Sequence, residues 1–138
     1  MAFSSVRDMV ELCKESGKPL YEVILESDLA ESGLTRAESE AEMHRLWAVM
    51  QATSDGYCGA DRSMSGFAGG DAAKVNAAAA RGVLYADGYF ADVMAEALKT
   101  AECNACMKRI VAAPTAGSCG VLPAVLLPLA RAGQADED

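Results

Sequence analysis

Residues 104–123 read NACMKRIVAAPTAGSCGVLP and join two apolar stretches through a loop of small residues. Proline disfavours helical geometry in the residue before it, so the helix that enters this stretch is predicted to end near Ala113. The loop at 115–120 has two glycines and no side chain larger than threonine or cysteine, so a ligand could approach its backbone closely. Amides at the start of the following helix favour an anion such as a carboxylate. The stretch is a candidate anion site, and a tight connection between two helices is the alternative.

Length and composition predict one all-α domain. A chain of 138 residues is one domain by size and is large enough to bury a core. Hydrophobic residues make up 51% of the chain and aromatic residues only 6%, which favours helices that pack closely through small side chains. We therefore expect an irregular helical domain with small-residue loops over residues 1–138, with a frayed tail at 133–138.

Charge and hydropathy exclude two classes of partner. A net charge of −8 argues against binding to nucleic acid or to an anionic membrane. There is no uninterrupted apolar run of about 18 residues that could cross a bilayer, and the amino terminus lacks the apolar core of a secretory signal. The five cysteines do not have the spacing of a disulfide-linked secreted module. We therefore expect reduced thiols and a cytoplasmic location.

Apolar spacing together with capping residues predicts six helices. Ser4 or Ser5 is expected to cap the first helix, and Gly17 to end it. Thr35 and Glu38 have the spacing of a capping box at the start of the third helix. The predicted helices cover approximately residues 6–16, 19–30, 36–54, 72–80, 89–112 and 121–132.

Residues 56–70 form a second candidate binding loop, because they include five glycines that a regular helix would not accommodate. A Walker-type phosphate loop is excluded by the spacing, and a surface connection is the alternative. Asp71 is expected to cap the helix that follows this loop. In the last helix, Pro123 fits the first turn, and Pro128 predicts a kink or an early end.

Cys103 and Cys106 form a CxxC pair that has three interpretations. A zinc site would need further ligands nearby, and a redox pair normally stands at the start of a helix that follows a strand. Two cysteines three apart on a helix share a face, so they can also simply pack there. His44 is the only histidine, so a nucleophile–histidine dyad would depend on it alone. A thiol or zinc protein and a non-enzymatic helical interaction domain both stay open as alternative functions.

Three segments carry a resemblance to a known family. AAPTAGSCGVLPAVLL at 112–127 looks like a motif of the α chain of bacterial iron-sulfur-dependent L-serine dehydratases, which convert L-serine to pyruvate and ammonia. SMSGFAGGDAAK at 63–74 resembles the S-x-S-G-x-x-G-G-D-x-x-K segment of that family. Residues 3–25 resemble the start of the same α chain. The three segments occur in the order of the family, and the chain resembles the amino-terminal half of a larger catalytic domain.

The resemblance implies a four-iron four-sulfur (4Fe-4S) cluster that acts as a Lewis acid on the substrate hydroxyl. The cysteine ligands of that cluster lie in the carboxy-terminal half of the family's α chain, so they are expected beyond Asp138, and no cysteine here is at a matching position. We therefore expect that this chain binds no cluster and has no dehydratase activity alone. Lys108 stands where the family usually has glycine, and Cys119 is expected near the site without being a ligand.

The resemblance makes the loops at 63–74 and 114–120 the predicted walls of the substrate site. Their members offer hydroxyl groups, backbone that can be approached closely, and one cation for a carboxylate. These candidate residues are Ser63, Ser65, Gly66, Gly69, Gly70, Lys74, Pro114, Thr115, Ala116, Gly117 and Ser118. The motifs do not identify a catalytic base. The expected partners are L-serine, a separate β chain and, through an exposed apolar face, further copies of the chain.

Overall fold

A computed structural model describes residues 3–86, 88–113, 115 and 117–134. This part of the chain contains six α-helices and no strand, which confirms the predicted all-α class. The helices are α1 (Val6–Ser16), α2 (Leu20–Ser32), α3 (Arg36–Asp55), α4 (Asp71–Ala80), α5 (Gly88–Ala105) and α6 (Ser118–Arg131). The chain forms two compact units, one ending at His44 and the other beginning at Arg45.

In the first unit, α1 begins and ends at the residues that the sequence indicates. The Ser5 hydroxyl accepts a hydrogen bond from the amide of Asp8 at 3.2 Å, so Ser5 is the amino-terminal cap. At the other end, Gly17 has φ +68° and donates its amide to the carbonyl of Cys13. Glycine adopts this left-handed geometry without the steric cost that a Cβ atom would bring.

The predicted capping box of α3 is also confirmed. The Glu38 carboxylate accepts the amide of Thr35 at 2.8 Å, and the Thr35 hydroxyl accepts the amide of Glu38 at 3.3 Å. Each side chain therefore satisfies one amide that the first turn of the helix leaves without a partner. These bonds from Thr35 hold the pKa of Glu38 below its ordinary value.

The second unit is built around α5, which packs against both α4 and α6. Alanines are buried on all three of these helices, which allows the close packing that the composition predicts. The buried alanines are Ala72, Ala91, Ala95 and Ala124. A second apolar cluster joins Met50 of α3 to Val111 and Leu127, with Trp47 and Val49 packed against it.

The end of α5 differs from the prediction, because the helix stops at Ala105 and does not reach Ala112. The apolar spacing of Met107 and Ile110 continues the helical pattern, yet both side chains are exposed. Val111 is fully buried in the apolar cluster instead. The non-helical segment after α5 is what places Val111 there.

Backbone bonds of a Schellman motif end this helix. The amide of Lys108 donates to the carbonyl of Cys103 at 2.9 Å, and the amide of Met107 donates to the carbonyl of Asn104 at 3.1 Å. Met107 has φ +58°, a left-handed conformation that glycine normally provides at this position. The helix end therefore lacks the glycine signal by which a sequence usually reveals it.

The last helix, α6, begins at Ser118 rather than at the predicted Val121. Pro123 consequently lies in the second turn and not in the first. The helix also continues through Pro128 to Arg131, so the early end predicted at Pro128 is wrong. Both prolines are buried, and the packing of α6 against α5 compensates for the backbone bonds that proline cannot donate.

The predicted tail at 133–138 is described only at its first two residues. The amide of Gly133 donates to the carbonyl of Ala130 at 2.9 Å, and the amide of Gln134 donates to the carbonyl of Leu129 at 3.2 Å. Residues 135–138, which end at Asp138, lie outside the described residues. The frayed tail therefore stays a prediction.

Candidate functional site

The first candidate loop holds two serine hydroxyls close together. The Ser63 and Ser65 oxygens lie 3.1 Å apart. Ser63 also fixes the loop, because its amide donates to the carbonyl of Ala68 at 2.9 Å and its hydroxyl accepts the amide of Ala68 at 3.1 Å. Ser65 is exposed and Ser63 half-buried. This pair is the part of the predicted site that the structure brings together.

Three glycines of this loop have positive φ, but they face different surroundings. A Cβ atom on Gly69 (φ +127°) would collide with the carbonyl oxygen of Asp61, and one on Gly70 (φ +88°) would meet the Arg62 guanidinium at 3.0 Å. The protein's own chain therefore occupies the space beside Gly69 and Gly70. Nothing lies within 4 Å of the equivalent position on Gly66, so only there is the space beside the glycine open.

A buried carboxylate on α5, Glu102, fills the amino-terminal end of α4. It accepts the amides of Gly70 at 3.0 Å, Asp71 at 2.6 Å and Ala72 at 3.3 Å, and the Tyr57 hydroxyl at 2.7 Å. Only 6% of Glu102 is exposed. A helix amino terminus attracts anions through its unpaired amides and its dipole. At α4 the protein itself supplies that anion.

The predicted capping role of Asp71 is therefore wrong. Asp71 is the first residue of α4, and Gly70 stands at the cap position without a side-chain bond. The Asp71 carboxylate instead accepts the Lys74 ammonium at 2.7 Å. This pair, with a smaller contribution from Arg62, holds the pKa of Asp71 below its ordinary value. Lys74, the predicted cation for a substrate carboxylate, thus already has an acidic neighbour at the surface.

Tyr57 completes this arrangement and was not singled out from the sequence. Its hydroxyl donates to Glu102 and accepts the amide of Ala73 at 3.3 Å. Burial, followed by the bond to Glu102, raises the pKa of Tyr57 to about 12. The only sequence signal for this network is that Glu102 lies four residues after Leu98 on the apolar stripe of the predicted helix.

In the second candidate loop, Thr115 and Ser118 bind each other. The amide of each donates to the hydroxyl of the other, at 3.1 and 3.2 Å, and the two hydroxyl oxygens are 3.0 Å apart. This is the reciprocal pattern of a capping box. The amides of Gly120 and Val121 donate to the carbonyl of Gly117. These four amides, at the place where the sequence predicts an anion site, are therefore engaged within their own turn.

The structure describes only some of the other residues in this loop. Pro114 and Ala116 lie outside the described residues. Gly117 is exposed, and Cys119 is half-buried with its thiol 3.5 Å from the carbonyl oxygen of Thr115. No hydrogen bond joins the described residues of this loop to those at 63–74. Within the described residues, each predicted wall is held by hydrogen bonds inside its own segment.

A second buried carboxylate, Glu96, joins three helices and was also missed. It accepts the Lys99 ammonium and the Arg131 guanidinium, both at 2.6 Å, while Arg131 also donates to Ser54 at 3.0 Å. Burial alone would raise the pKa of Glu96, but bonds from Lys99, Ser54 and Arg131 outweigh it and lower the pKa. This network connects the end of α3 with α5 and α6.

The thiols do not form a recognisable metal centre. All five cysteines are free, and no group of three or more histidine, cysteine or acidic side chains suited to a metal ion occurs among residues 3–86, 88–113, 115 and 117–134. Iron-sulfur clusters are held by several converging thiolates. Cys58, Cys103 and Cys106 line one cavity, but its volume of about 10 Å³ holds about one water molecule. The cysteines of this chain therefore do not fit a 4Fe-4S cluster, and Cys103 with Cys106 does not complete a zinc site. Asp138 lies outside the described residues, and cluster ligands beyond it stay a prediction.

The helical fold and the two small-residue loops belong to a known family. Residues 15–138 match the family model described as serine dehydratase alpha chain, and the chain is therefore a member of that family. It is 32% identical over 125 residues to the L-serine dehydratase alpha chain of Peptoniphilus asaccharolyticus, covering 90% of this chain and 43% of the relative. It is 31% identical over 124 residues to the probable L-serine dehydratase alpha chain of Bacillus subtilis (strain 168), covering 90% and 41%.

The chain covers a smaller share of a third relative. The chain is 33% identical over 135 residues to L-serine dehydratase 2 of Escherichia coli (strain K12), covering 90% of this chain and 28% of the relative. The chain thus spans less than half the length of these three curated relatives.

No solved structure matches the chain. In the described part of the chain, no helix has both the length and the apolar character to cross a membrane.

Proposed function

We propose that this chain is part of the catalytic α chain of an L-serine ammonia-lyase, which converts L-serine to pyruvate and ammonia. The family match over residues 15–138 carries the proposal, and the three relatives are named L-serine dehydratases. The cysteines here do not fit a 4Fe-4S cluster. We therefore propose that these 138 residues alone hold no cluster and are inactive, and that their role is to bind and orient the amino acid.

The proposed substrate walls are the loops at 63–74 and 114–120. The paired hydroxyls of Ser63 and Ser65 support the first wall, because two adjacent hydroxyls can donate hydrogen bonds to both oxygens of a carboxylate. The open space beside Gly66 supports close approach of a ligand at the same place. The mutually bound hydroxyls of Thr115 and Ser118 support a rigid second wall.

The proposed partners are a serine dehydratase β chain and, by self-association, further copies of this chain. Apolar side chains on α6 are partly exposed, including Val121 at 60% and Val125 at 39%. Exposed apolar surface of this kind favours contact with further protein. We also propose a cytoplasmic location, because five free thiols are best kept reduced there.

Binding of L-serine tests the substrate walls. A ligand that binds the folded state raises the midpoint of thermal unfolding, so we expect L-serine to raise it for the wild type. The double variant Ser63→Ala/Ser65→Ala should lose most of this shift, whereas Ser39→Ala, on α3, should keep it. An equal rise in the unfolding midpoint of the wild type and both variants would mean that L-serine binds elsewhere.

Enzyme activity and metal content test the proposal that these 138 residues alone hold no cluster and are inactive. After anaerobic reconstitution with iron and sulfide, we expect the purified chain to hold no stoichiometric cluster and to release no pyruvate from L-serine. The same assay with an added β chain shows whether a partner changes this result. Pyruvate release accompanied by stoichiometric iron and sulfide on this chain would contradict the proposal.

A further inference from the structure

Three of the five cysteines line one small cavity in the second unit. Cys58 follows α3, whereas Cys103 and Cys106 lie at the end of α5. The cavity has a volume of about 10 Å³, about the space that one water molecule needs. Asp61 and Lys108 line the same cavity. Thiols that are distant in sequence are thus brought to one place by the fold, and the serine dehydratase family membership does not account for them.

The three thiols differ in how easily a reagent can reach them. Cys58 is exposed and Cys106 half-buried, whereas only 4% of Cys103 is exposed. The Cys103 thiol also lies 3.8 Å from the carbonyl oxygen of Thr53, to which it donates. Burial, the largest cause, raises the pKa of Cys103 and so disfavours its reactive thiolate form. Cys58 and Cys106 are therefore the two accessible members.

A cation stands beside these thiols. The Lys108 ammonium lies 3.0 Å from the Asp61 carboxylate and is about half exposed. Reactive cysteines in proteins are typically partly exposed and close to a positively charged group. The cavity therefore combines two thiols that a reagent can reach from solvent with a neighbouring ammonium group.

We propose that Cys58 and Cys106 form an intramolecular disulfide when the protein meets hydrogen peroxide. One thiol attacks a peroxide oxygen, the O–O bond breaks, and the products are a sulfenic acid and one water. The second thiol then attacks the sulfenic sulfur, forming the S–S bond and releasing a second water. In total, two thiols lose two electrons and two protons, and one peroxide is reduced to two waters. Cys103 takes no part in the bond.

The new bond would join the turn after α3 to the end of α5. Both ends lie beside the Tyr57–Glu102 hydrogen bond that fixes the start of α4. A cross-link between residues far apart in sequence restricts the unfolded chain and stabilises the folded one. Oxidation should therefore raise the midpoint of thermal unfolding, and reduction with dithiothreitol should reverse the increase.

Peptide mapping tests the proposal directly. Trypsin is expected to release Cys58 in the peptide 46–62 and both other cysteines in the peptide 100–108. After peroxide treatment of dilute protein, we expect monomeric chains that have lost two hydrogens and a linked pair of these two peptides. The link should persist in Cys103→Ser and be absent in Cys58→Ser and in Cys106→Ser.

Each other outcome would overturn the proposal. A disulfide confined to the peptide 100–108 would mean that Cys103 and Cys106 pair with each other. A link found only in covalent dimers would mean that the thiols of separate chains react. Loss of the link in Cys103→Ser, or oxidation without any link, would equally exclude a Cys58–Cys106 disulfide. Because Cys58 is exposed and Cys106 half-buried, their serine variants should fold, and serine in place of either thiol changes little else.

Discussion

At the scale of single residues, Glu102 holds together parts of the chain that are far apart in sequence. Its carboxylate accepts three backbone amides and one tyrosine hydroxyl while almost wholly shielded from water. Hydrogen bonds to a charged acceptor are stronger than those between neutral groups, and buried amides without partners are costly. The start of α4, and with it the end of the serine loop, therefore depends on this carboxylate.

Replacing Glu102 by glutamine should destabilise the protein. Glu102→Gln keeps the shape but exchanges one accepting oxygen for an NH₂ group that would face backbone amides. We expect the free energy of unfolding to fall by about 2–3 kcal/mol, measured by urea denaturation. Glu15→Gln, at an exposed position on α1, is the control and should stay within about 0.5 kcal/mol of the wild type. A loss of similar size in both variants would contradict the capping role.

The Tyr57 hydroxyl should make stability depend on alkaline pH. Its pKa is about 12 in the folded protein, compared with about 10 in an unfolded chain. As pH rises, the unfolded chain loses this proton first, so the contribution of Tyr57 is complete below about pH 10 and is lost towards pH 12. We expect a decrease of about 1–2 kcal/mol in the free energy of unfolding over this interval, after allowance for solvent screening.

Variants separate this effect from general alkaline unfolding. Tyr57→Phe should remove the decrease and should also be less stable at neutral pH, because the bonds to Glu102 and Ala73 are lost. Tyr85→Phe changes a fully exposed tyrosine and should retain the wild-type dependence. An unchanged alkaline profile in Tyr57→Phe would show that another group causes it.

At the scale of helices and loops, the end of α5 carries an avoidable steric cost. Met107 is 77% exposed and adopts φ +58°, a conformation that costs a residue with a Cβ atom about 1–2 kcal/mol. Met107→Gly removes the Cβ and should be more stable than Met107→Ala by about 1 kcal/mol. Both variants remove the same exposed side chain. The difference in their free energies of unfolding, measured by chemical denaturation, therefore gives the cost of the left-handed backbone conformation at this position. Equal stability would mean that the helix end relaxes in solution.

Local signals explain which helix ends could be predicted from the sequence. The predicted caps of α1 and α3 are confirmed because the capping residues bind partners within four positions of themselves. These residues are Ser5, Gly17 and the pair Thr35–Glu38. The cap of α4 could not be derived in this way. Its carboxylate comes from Glu102, thirty-one residues after Asp71, and only the folded arrangement of α4 and α5 brings the two together.

The candidate site likewise contains groups that local sequence indicates and space that only the fold determines. The hydroxyl pairs at Ser63–Ser65 and Thr115–Ser118 could be anticipated as groups, since each lies within a short segment that the family motif marks. The space beside Gly69 could not be judged, because the chain at Asp61 that fills it is placed by the fold. Glycine in a motif indicates a close approach, but the sequence does not say whether a ligand or the protein itself approaches.

At the scale of the whole molecule, Glu96 connects the end of α3 to α5 and α6 through Lys99 and Arg131. The bonds that it accepts lower its pKa in the folded protein. As pH falls, the unfolded chain therefore takes up the proton first. The stabilisation by Glu96 is complete above the ordinary glutamate pKa of about 4.3 and is lost as pH falls through the lower folded-state pKa.

Glu96→Gln should therefore cost more at neutral pH than in acid. We expect a loss of about 2 kcal/mol at pH 7, measured as the difference in free energy of unfolding from the wild type. That difference should shrink as the pH is lowered through the folded-state pKa. Glu15→Gln again serves as the control and should show little difference at either pH. A loss that is equal at both pH values would mean that packing and not charge is responsible.

The carboxylate at the start of α4 has a consequence for the response of the protein to salt. Surface ion pairs such as Lys18–Glu26 stand in water and weaken as dissolved ions screen them. Glu102 is enclosed with the amides that it neutralises, and mobile ions cannot enter between them. The loop that carries Ser63 and Ser65 is thus anchored by a counter-anion that is covalently part of the chain. Its geometry should be the same in dilute buffer and in concentrated salt.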